Sequence, residues 1–348
     1  MSQSLKTWYI KAFSWEYWPM WLVYLPVSFY YVYLSIRAGS FFFFSASNPS
    51  IEYGGMFFES KQKIFDLIPR QYYPSTVYID GKDEFLLITK KIKAAGIAYP
   101  LIAKPDRGER GWCVMKIESE SELADYKQKM PVSFIIQEYI NHPLEFSIFY
   151  FRHPMSKTGK VTSVTLKKML TVTGDGFSTV EKLIHDNNRS FLQYPKLKEN
   201  KKIDLCRVLP KGEQKVLVPY GNHVLGATFL NYNHIIDDRL EKTIDYISQQ
   251  IEGFYFGRYD LRCTSIEDLK NGKNISILEL NGAGAEPAHI YDPSFSFFKA
   301  QLVIAAHYKM MYEIARENKK RGNSFMSFSE FTTVRKSEKI YKGQVVFS

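Results

Sequence analysis

Cysteine is scarce in this chain. Its 348 residues hold three, Cys113, Cys206 and Cys263, at no paired spacing. That argues against a disulfide framework and a cysteine-based zinc centre, and it points to a reducing compartment. Histidine is scarce too: seven are scattered along the chain, with no His-x-x-x-His pair and no Cys–His cluster. No Ser-His-Asp or Cys-His arrangement offers a side-chain nucleophile. Internal repeats and low-complexity linkers are absent, so the length reads as one body of two or three lobes around a single cleft. Acidic residues are in deficit, 36 against 46 basic ones, a net charge of +10 with basic runs at 196–202, 319–321 and 335–342. Such a balance suits nucleic acid or an anionic membrane surface. There is no recognisable nucleic-acid module, and the aromatics do not interleave with the basic runs, so no nucleic-acid partner is expected.

Charge is missing altogether from Tyr17 to Ile36. Twenty residues match a bilayer span in length, but tryptophan and tyrosine fill the stretch and prefer the interface. Pro19 and Pro26 interrupt it, and Lys6, Lys11 and Arg37 flank both sides without a clean orientation. The expectation is an interfacial anchor or shallow hairpin over residues 13–44. A single pass, and a soluble helix pair packed on the body, stay open as alternatives. A cleaved secretory signal is not expected.

What is present is concentrated at residues 255–292. Tyr255-Phe-Gly-Arg258-Tyr-Asp260-Leu-Arg262 and Ile275-Ser-Ile-Leu-Glu279-Leu-Asn281-Gly282 read as two strands. Residues two apart on a strand share a face. Arg258, Asp260 and Arg262 are therefore expected on one face, and Ile275, Ile277, Glu279 and Asn281 on another. Pairing the strands would gather carboxylates, an amide oxygen and guanidinium groups. The oxygens are hard ligands for Mg²⁺, with phosphate completing the shell, and the arginines would neutralise a transferring phosphoryl group. Gly282-Ala-Gly284-Ala-Glu286-Pro287 follows as a small, flexible loop.

Arg-x-Asp on one strand, then Glu-x-Asn running into a Gly-rich loop, resembles the metal site of the ATP-grasp ligases. The resemblance covers roughly residues 55–310. It implies an α/β fold of two lobes clasping ATP, with Mg²⁺ (or Mn²⁺ in its place) on Asp260, Glu279 and Asn281, all in an exposed cleft. Arg258 would contact the transferred phosphate, with Arg262 beside it. Tyr99-Pro-Leu-Ile-Ala-Lys104 followed by a loop containing Gly108 and Gly111 resembles the lysine strand and its glycine loop. Such a loop can close over phosphates, although Arg107, Glu109 and Arg110 depart from the small residues usual there. Ser133 to Ile140 and Pro143 to Tyr150 resemble the adenine hinge, at Glu138, Tyr139 and Ile140, and the ribose carboxylate, at Glu145. Val161 to Ile184, with Gly174-Asp175-Gly176, resembles a basic strand facing the phosphates. Lys167 or Lys168 would face inward, and only one can. Lys61 or Lys63 matches a further phosphate contact, and His223, in a glycine-punctuated loop, matches the acceptor side as a base.

The expected organisation is an aromatic anchor at 1–44, a shortened N-terminal lobe at 45–98, an ATP-grasp domain at 99–321 and a basic polar tail at 322–348. The ATP-grasp domain would divide into a nucleotide part, 99–184, and a metal and acceptor part, 185–321. The expected activity is an ATP- and Mg²⁺-dependent ligase. It would activate a small-molecule carboxylate as an acyl phosphate and join it to an amine, at the cytoplasmic membrane surface where ATP is available. A small-molecule kinase, or a degenerate nucleotide-binding scaffold, is the alternative.

Overall fold

The computed structural model describes residues 3–200 and 202–346; Lys201, inside a basic run, and the ends of the chain lie outside the described residues. The strands, in chain order, are β1 (Thr76–Ile79), β2 (Leu101–Pro105), β3 (Met115–Ile117), β4 (Phe134–Glu138), β5 (Leu144–Phe151) and β6 (Lys160–Lys168). They continue as β7 (Leu170–Thr173), β8 (Gln214–Val218), β9 (Thr228–Asn231), β10 (Phe256–Cys263) and β11 (Ile275–Asn281). They form a four-stranded sheet, β1-β4-β2-β3, a five-stranded sheet, β11-β10-β5-β6-β9, and the ribbon β7-β8. All pairings are antiparallel. With the helices, this is the mixed α/β architecture expected.

The five-stranded sheet separates two environments because its strands alternate. Phe146, Ile148 and Tyr150 of β5 and Tyr259, Leu261 and Cys263 of β10 enter one core, which the helix Asp238–Gln249 covers with Leu240, Ile244 and Ile247. That i, i+4, i+7 spacing puts a single stripe on the sheet. On the other face, Glu145 and Ser147 of β5 meet Arg258, Asp260 and Arg262 of β10. Farther along, Phe149 meets Phe256 in a second apolar cluster.

The boundary expected at 98/99 divides one core. β1 joins the sheet of the lysine strand, and Ile79, Ile88 and Ile92 pack with Leu101, Ala103 and Ile136. The basic tail is a helix over Phe328–Gly343, opened by a capping box between Ser327 and Glu330. Tyr341 fastens it by donating its hydroxyl to Ser133 O at 2.8 Å.

No helix among the described residues is long and apolar enough to cross a membrane. The helix Met20–Ala38 runs through Pro26 and ends at Gly39, whose φ of 68° is left-handed. Val27 packs on Ile290, Ala300 and Ile304, and Leu34 packs on Met311, Tyr312 and Ala315. Phe43 and Phe44 are buried in that same core, so the boundary expected at 44/45 also cuts through packed side chains. The opposite face of this helix is bare: Trp21, Leu25, Phe29, Val32 and Ile36 are exposed, Phe29 at 72% and Ile36 at 76%.

Candidate nucleotide and metal site

β10 and β11 pair Arg258 with Asn281 and Asp260 with Glu279, after which the register slips to Leu261 opposite Ile277. The slip leaves Leu278 as an extra residue, a β-bulge. It also reverses the alternation. Ile275 and Ile277 turn into the core with Leu261 and Cys263, rather than sharing a face with Glu279 and Asn281 as expected. The bulge presents Leu278 O to the Lys104 ammonium at 2.9 Å. Thus the defect in β11 is the point at which the lysine strand of the other sheet is received.

Along the site face runs a chain of buried charges. Arg258 grips Asp260 with two bonds of 3.0 Å. Lys167 stands between Asp260, at 3.3 Å, and Glu145, at 3.5 Å. Arg262 donates to Glu145 at 2.9 Å and to Ile140 O at 2.6 Å. Burial alone would raise the Asp260 carboxyl, but Arg258, Lys167 and the Ser147 hydroxyl outweigh it and hold it well below the usual carboxylate range. Asp260 is buried, not in an exposed cleft as expected. Arg262 lies at the hinge end, holding Glu145 and Ile140, and not beside Asp260; it is a positioning residue here. Glu145 is likewise already engaged and offers no free carboxylate.

Lys104 differs from these groups. Its nearest partners are neutral, Gln137 Oε1 at 3.1 Å and Leu278 O. Burial pushes its ammonium down to about 8, with Glu279 and Asp260 offsetting part of that. Lys61 donates to Gly108 O at 2.6 Å and so ties the glycine loop to the site. In that loop a Cβ at Gly108 would come within 2.7 Å of the Trp112 ring, and one at Gly111 within 2.5 Å of Asn222 Nδ2. Arg107 is turned away onto Glu52 at 2.9 Å.

The members of each lysine pair point to different surroundings. Lys167 faces inward and Lys168 is exposed. Lys61 faces the site, whereas Lys63 pairs with Glu52 on the surface. Glu138 is exposed at the strand exit, accepting from Ser75 N at 3.3 Å, and Tyr139 lies under Lys116 at 4.5 Å. The ring of His223 bonds Glu16 at 2.9 Å and lies against Tyr17, Phe229 and Tyr291; these contacts do not join it to the carboxylates. Its loop does reach the site, through Gly221, where a Cβ would fall 2.0 Å from Glu145 Oε1. The glycines after Asn281 are not there for flexibility. Ala283 N and Gly284 N donate to Gly54 O and Gly55 O at 2.9 and 2.8 Å, and a Cβ at Gly282 would meet Gly54 O at 2.3 Å. Backbone packs directly on backbone there.

Two participants escaped sequence reasoning. Ser147 bonds Asp260, and its position two after Glu145 on one strand was the available signal. Glu59 walls a small recess with Lys61 and Glu279, and burial raises its carboxyl to about 7. Its only signal was adjacency to the lysine-bearing helix. Glu59 Oε2 and Asn281 Nδ2 are buried without a hydrogen-bond partner, and such atoms are uncommon unless something else satisfies them. Among the described residues no three His, Cys, Asp or Glu side chains form a ready-made metal cluster. Arg258, Lys167 and Ser147 occupy the Asp260 carboxylate. That leaves Glu279 and the Asn281 amide oxygen as the hard oxygens that fit Mg²⁺, an ion that commonly takes one or two carboxylates and completes its shell with water and phosphate.

No family model matches the chain. A bifunctional glutathione biosynthesis protein, GshAB of Streptococcus mutans, is 24% identical over 242 residues, 63% of this chain and 30% of that protein. The chain therefore spans under a third of that relative's length. The bifunctional glutathione synthetase structure from Pasteurella multocida has a TM-score of 0.39 at 14% identity, covering 72% of this chain and 36% of that one. The VanG D-Ala:D-Ser ligase from Enterococcus faecalis gives 0.41 at 16% identity, covering 74% and 62%. The D-alanine–D-alanine ligase from Coxiella burnetii gives 0.43 at 9%, covering 78% and 59%. In these comparisons the chain is similar, at low identity, to ligases and synthetases.

Proposed function

We propose that the chain is an ATP- and Mg²⁺-dependent ligase that activates a carboxylate and joins it to an amine. The observation that supports this best is the meeting of Asp260, Glu279, Arg258 and Asn281 on paired strands with Lys104 and Lys167 arriving from two others. The γ-phosphoryl group of ATP passes to a carboxylate oxygen, giving ADP and an acyl phosphate. An amine then attacks the acyl carbon and expels phosphate. Bound Mg²⁺ would neutralise the phosphate oxygens, while Lys104 and Arg258 supply fixed positive charge; catalysis of this kind is mostly positioning. Glu279→Gln is the cleanest test, since Asp260 is locked into the ion chain. ADP release should fall roughly 10²–10³-fold, the usual loss of an electrostatic contact to the transition state, with nucleotide-free stability unchanged. Undiminished turnover would defeat the metal assignment, and ADP release that yields a stable phosphorylated product without a new C–N bond would favour a kinase.

We also infer peripheral attachment to an anionic membrane surface. Three helices support it with exposed apolar side chains: Trp8, Tyr9 and Phe13 on the helix Gln3–Phe13, Trp21, Leu25, Phe29, Val32 and Ile36 on the helix Met20–Ala38, and Phe298 and Leu302 on the helix Phe297–Lys320. Large exposed apolar patches mark interaction sites, and tryptophan with flanking lysine and arginine suits the bilayer interface. A double substitution, Trp21→Glu with Phe29→Glu, should abolish cosedimentation with phosphatidylserine vesicles while leaving folding intact, because both side chains are exposed. Unchanged sedimentation would reject the surface. Removing residues 3–44 is the poorer experiment, since it strips Leu34, Phe43 and Phe44 from a core.

A further inference from the structure

Behind the Gly282–Pro287 loop lies a cavity of about 520 Å³, inside the usual ~300–1,000 Å³ of small-molecule sites. Its walls are Tyr24, Tyr31, Phe44, Met56, Tyr308 and Met311, and its floor is the loop segment 283–287 that leaves the metal strand. This places one end of the cavity beside the chemistry: Arg258 donates to Glu286 O at 3.2 Å, and Arg110 of the glycine loop stands in the cavity wall. The other end opens on the bare apolar face, because Trp21 and Phe41, which also line it, are 69% and 57% exposed.

Several polar groups of the cavity are already committed, and the Tyr24 hydroxyl, buried without a hydrogen-bond partner, is the exception. His307, which lines the cavity, has both ring nitrogens committed, to Thr162 Oγ1 at 2.9 Å and Val303 O at 2.8 Å. Burial keeps it uncharged at neutral pH. The Glu286 carboxylate accepts the Tyr291 hydroxyl. A polar substrate pressed against the Phe44, Met56 and Met311 side chains would lose hydration without replacement bonds there. An apolar chain would gain with every methylene it buries. Arg110 brings a guanidinium from the glycine loop into the lining, a cation for a carboxylate head.

We infer that the activated substrate is amphipathic: a carboxylate carried on a long apolar chain, which lies in this cavity and enters from the apolar face. This rests on the ligase reading. It departs from the amino-acid type of carboxylate that sequence resemblance alone would suggest.

The test uses the full chain with Mg²⁺, ATP and hydroxylamine. Transfer of the γ-phosphoryl group to the carboxylate releases ADP. Hydroxylamine nitrogen then attacks the acyl carbon, expelling phosphate and losing a proton, and leaves a hydroxamate that can be quantified. Acetate, octanoate, dodecanoate and glutamate are compared, with ATP binding measured separately by calorimetry and dodecanoate binding by quenching of tryptophan fluorescence. Hydroxamate is expected to rise by about tenfold or more from acetate to dodecanoate, as added methylenes in an apolar pocket allow. Ser28→Trp and Met56→Trp, which fill the cavity from two walls, should each remove dodecanoate binding and its hydroxamate while ATP affinity holds; either variant suffices if the other fails to fold. Intact ATP binding with glutamate or acetate serving as well as dodecanoate overturns the substrate class and leaves the ligase reading standing. So does dodecanoate that binds without yielding hydroxamate, or that does not bind at all. A wild-type protein that binds no Mg²⁺–ATP overturns the ligase reading, and this inference falls with it.

Discussion

Each of the two sheets delivers one buried lysine to the site, and the two are held in opposite ways. Lys167, in the five-stranded sheet, lies between two carboxylates, Glu145 and Asp260. Lys104, in the four-stranded sheet, has an amide oxygen and a backbone carbonyl. One ammonium is already neutralised inside the protein, while the other is desolvated and short of an anion. The first is a structural member of an ion chain that positions Arg258 and Arg262. The second is the cation that the ligase proposal assigns to a phosphate, since no carboxylate pairs with it.

Substituting each lysine by methionine should break this comparison open. Lys167→Met leaves two buried carboxylates with one cation each, Arg258 on Asp260 and Arg262 on Glu145, and the loss should approach but not reach the about 3–5 kcal/mol of a buried pair broken outright. Denaturant unfolding should register that loss. Lys104→Met removes a buried charge that has no ionic partner, so stability should hold or rise while ATP affinity drops. Equal destabilisation of the two variants would mean that the contrast between them is false.

pH should separate the same pair more finely. The Lys104 ammonium is lowered by burial from 10.5 to about 8. Between these values the unfolded chain holds a proton that the folded chain has lost. Stability from this group therefore rises with pH across the window, by on the order of 3 kcal/mol in total. ATP affinity should move the other way, since the anion needs the charged form: it is flat below about 8 and falls by at most about tenfold per unit above it. Lys104→Arg, which stays charged, should flatten the affinity profile. If affinity and stability rise together above about 8 in the wild type, the neutral-partner account of Lys104 is wrong.

The charge-bearing residues were legible because strands impose period two: Arg258, Asp260 and Arg262 share a face as the spacing required. Period two also misled, since nothing in Ile275-Ser-Ile-Leu-Glu279 announces the bulge at Leu278 that flips Ile275 and Ile277 into the core. Residues adjacent in sequence, Lys167 and Lys168, were known to point apart, but the direction of each depends on which face of β6 meets β5 and its neighbours. Glycine gave an ambiguous signal. Gly282 and Gly284 read as a flexible loop, yet they allow backbone contact with Gly54 to Met56, more than two hundred residues earlier. The tail helix and the sheet membership of β1 were hidden for the same reason, as their partners lie far away in sequence. Composition did expose the aromatic N-terminal segment. It could not show that one face docks on the body while the other stays bare.

The smallest effect is expected at the other pair of lysines, and it sharpens the distinction between a cation in the site and one near it. Lys61 and Lys63 lie on one short helix, capped by Ser60. Lys61 holds Gly108 O, with Glu279 and Glu59 walling the same recess. Lys63 is 65% exposed and pairs with Glu52 at 2.5 Å. A pair this open is screened by water and salt, so Lys63→Ala should cost about 0–1 kcal/mol. ATP affinity should not move, because Glu52 keeps its second cation, Arg107, at 2.9 Å. Lys61→Met should leave stability nearly as little changed, yet it frees the glycine loop from its tether. The readout is therefore protease sensitivity of the 106–114 loop and ATP affinity, measured for both variants side by side. Lys61→Met should raise the first and weaken the second, and Lys63→Ala should do neither. A loss of affinity in Lys63→Ala as large as that in Lys61→Met would show that the helix acts through its overall charge, and the inward-facing lysine would lose its special place.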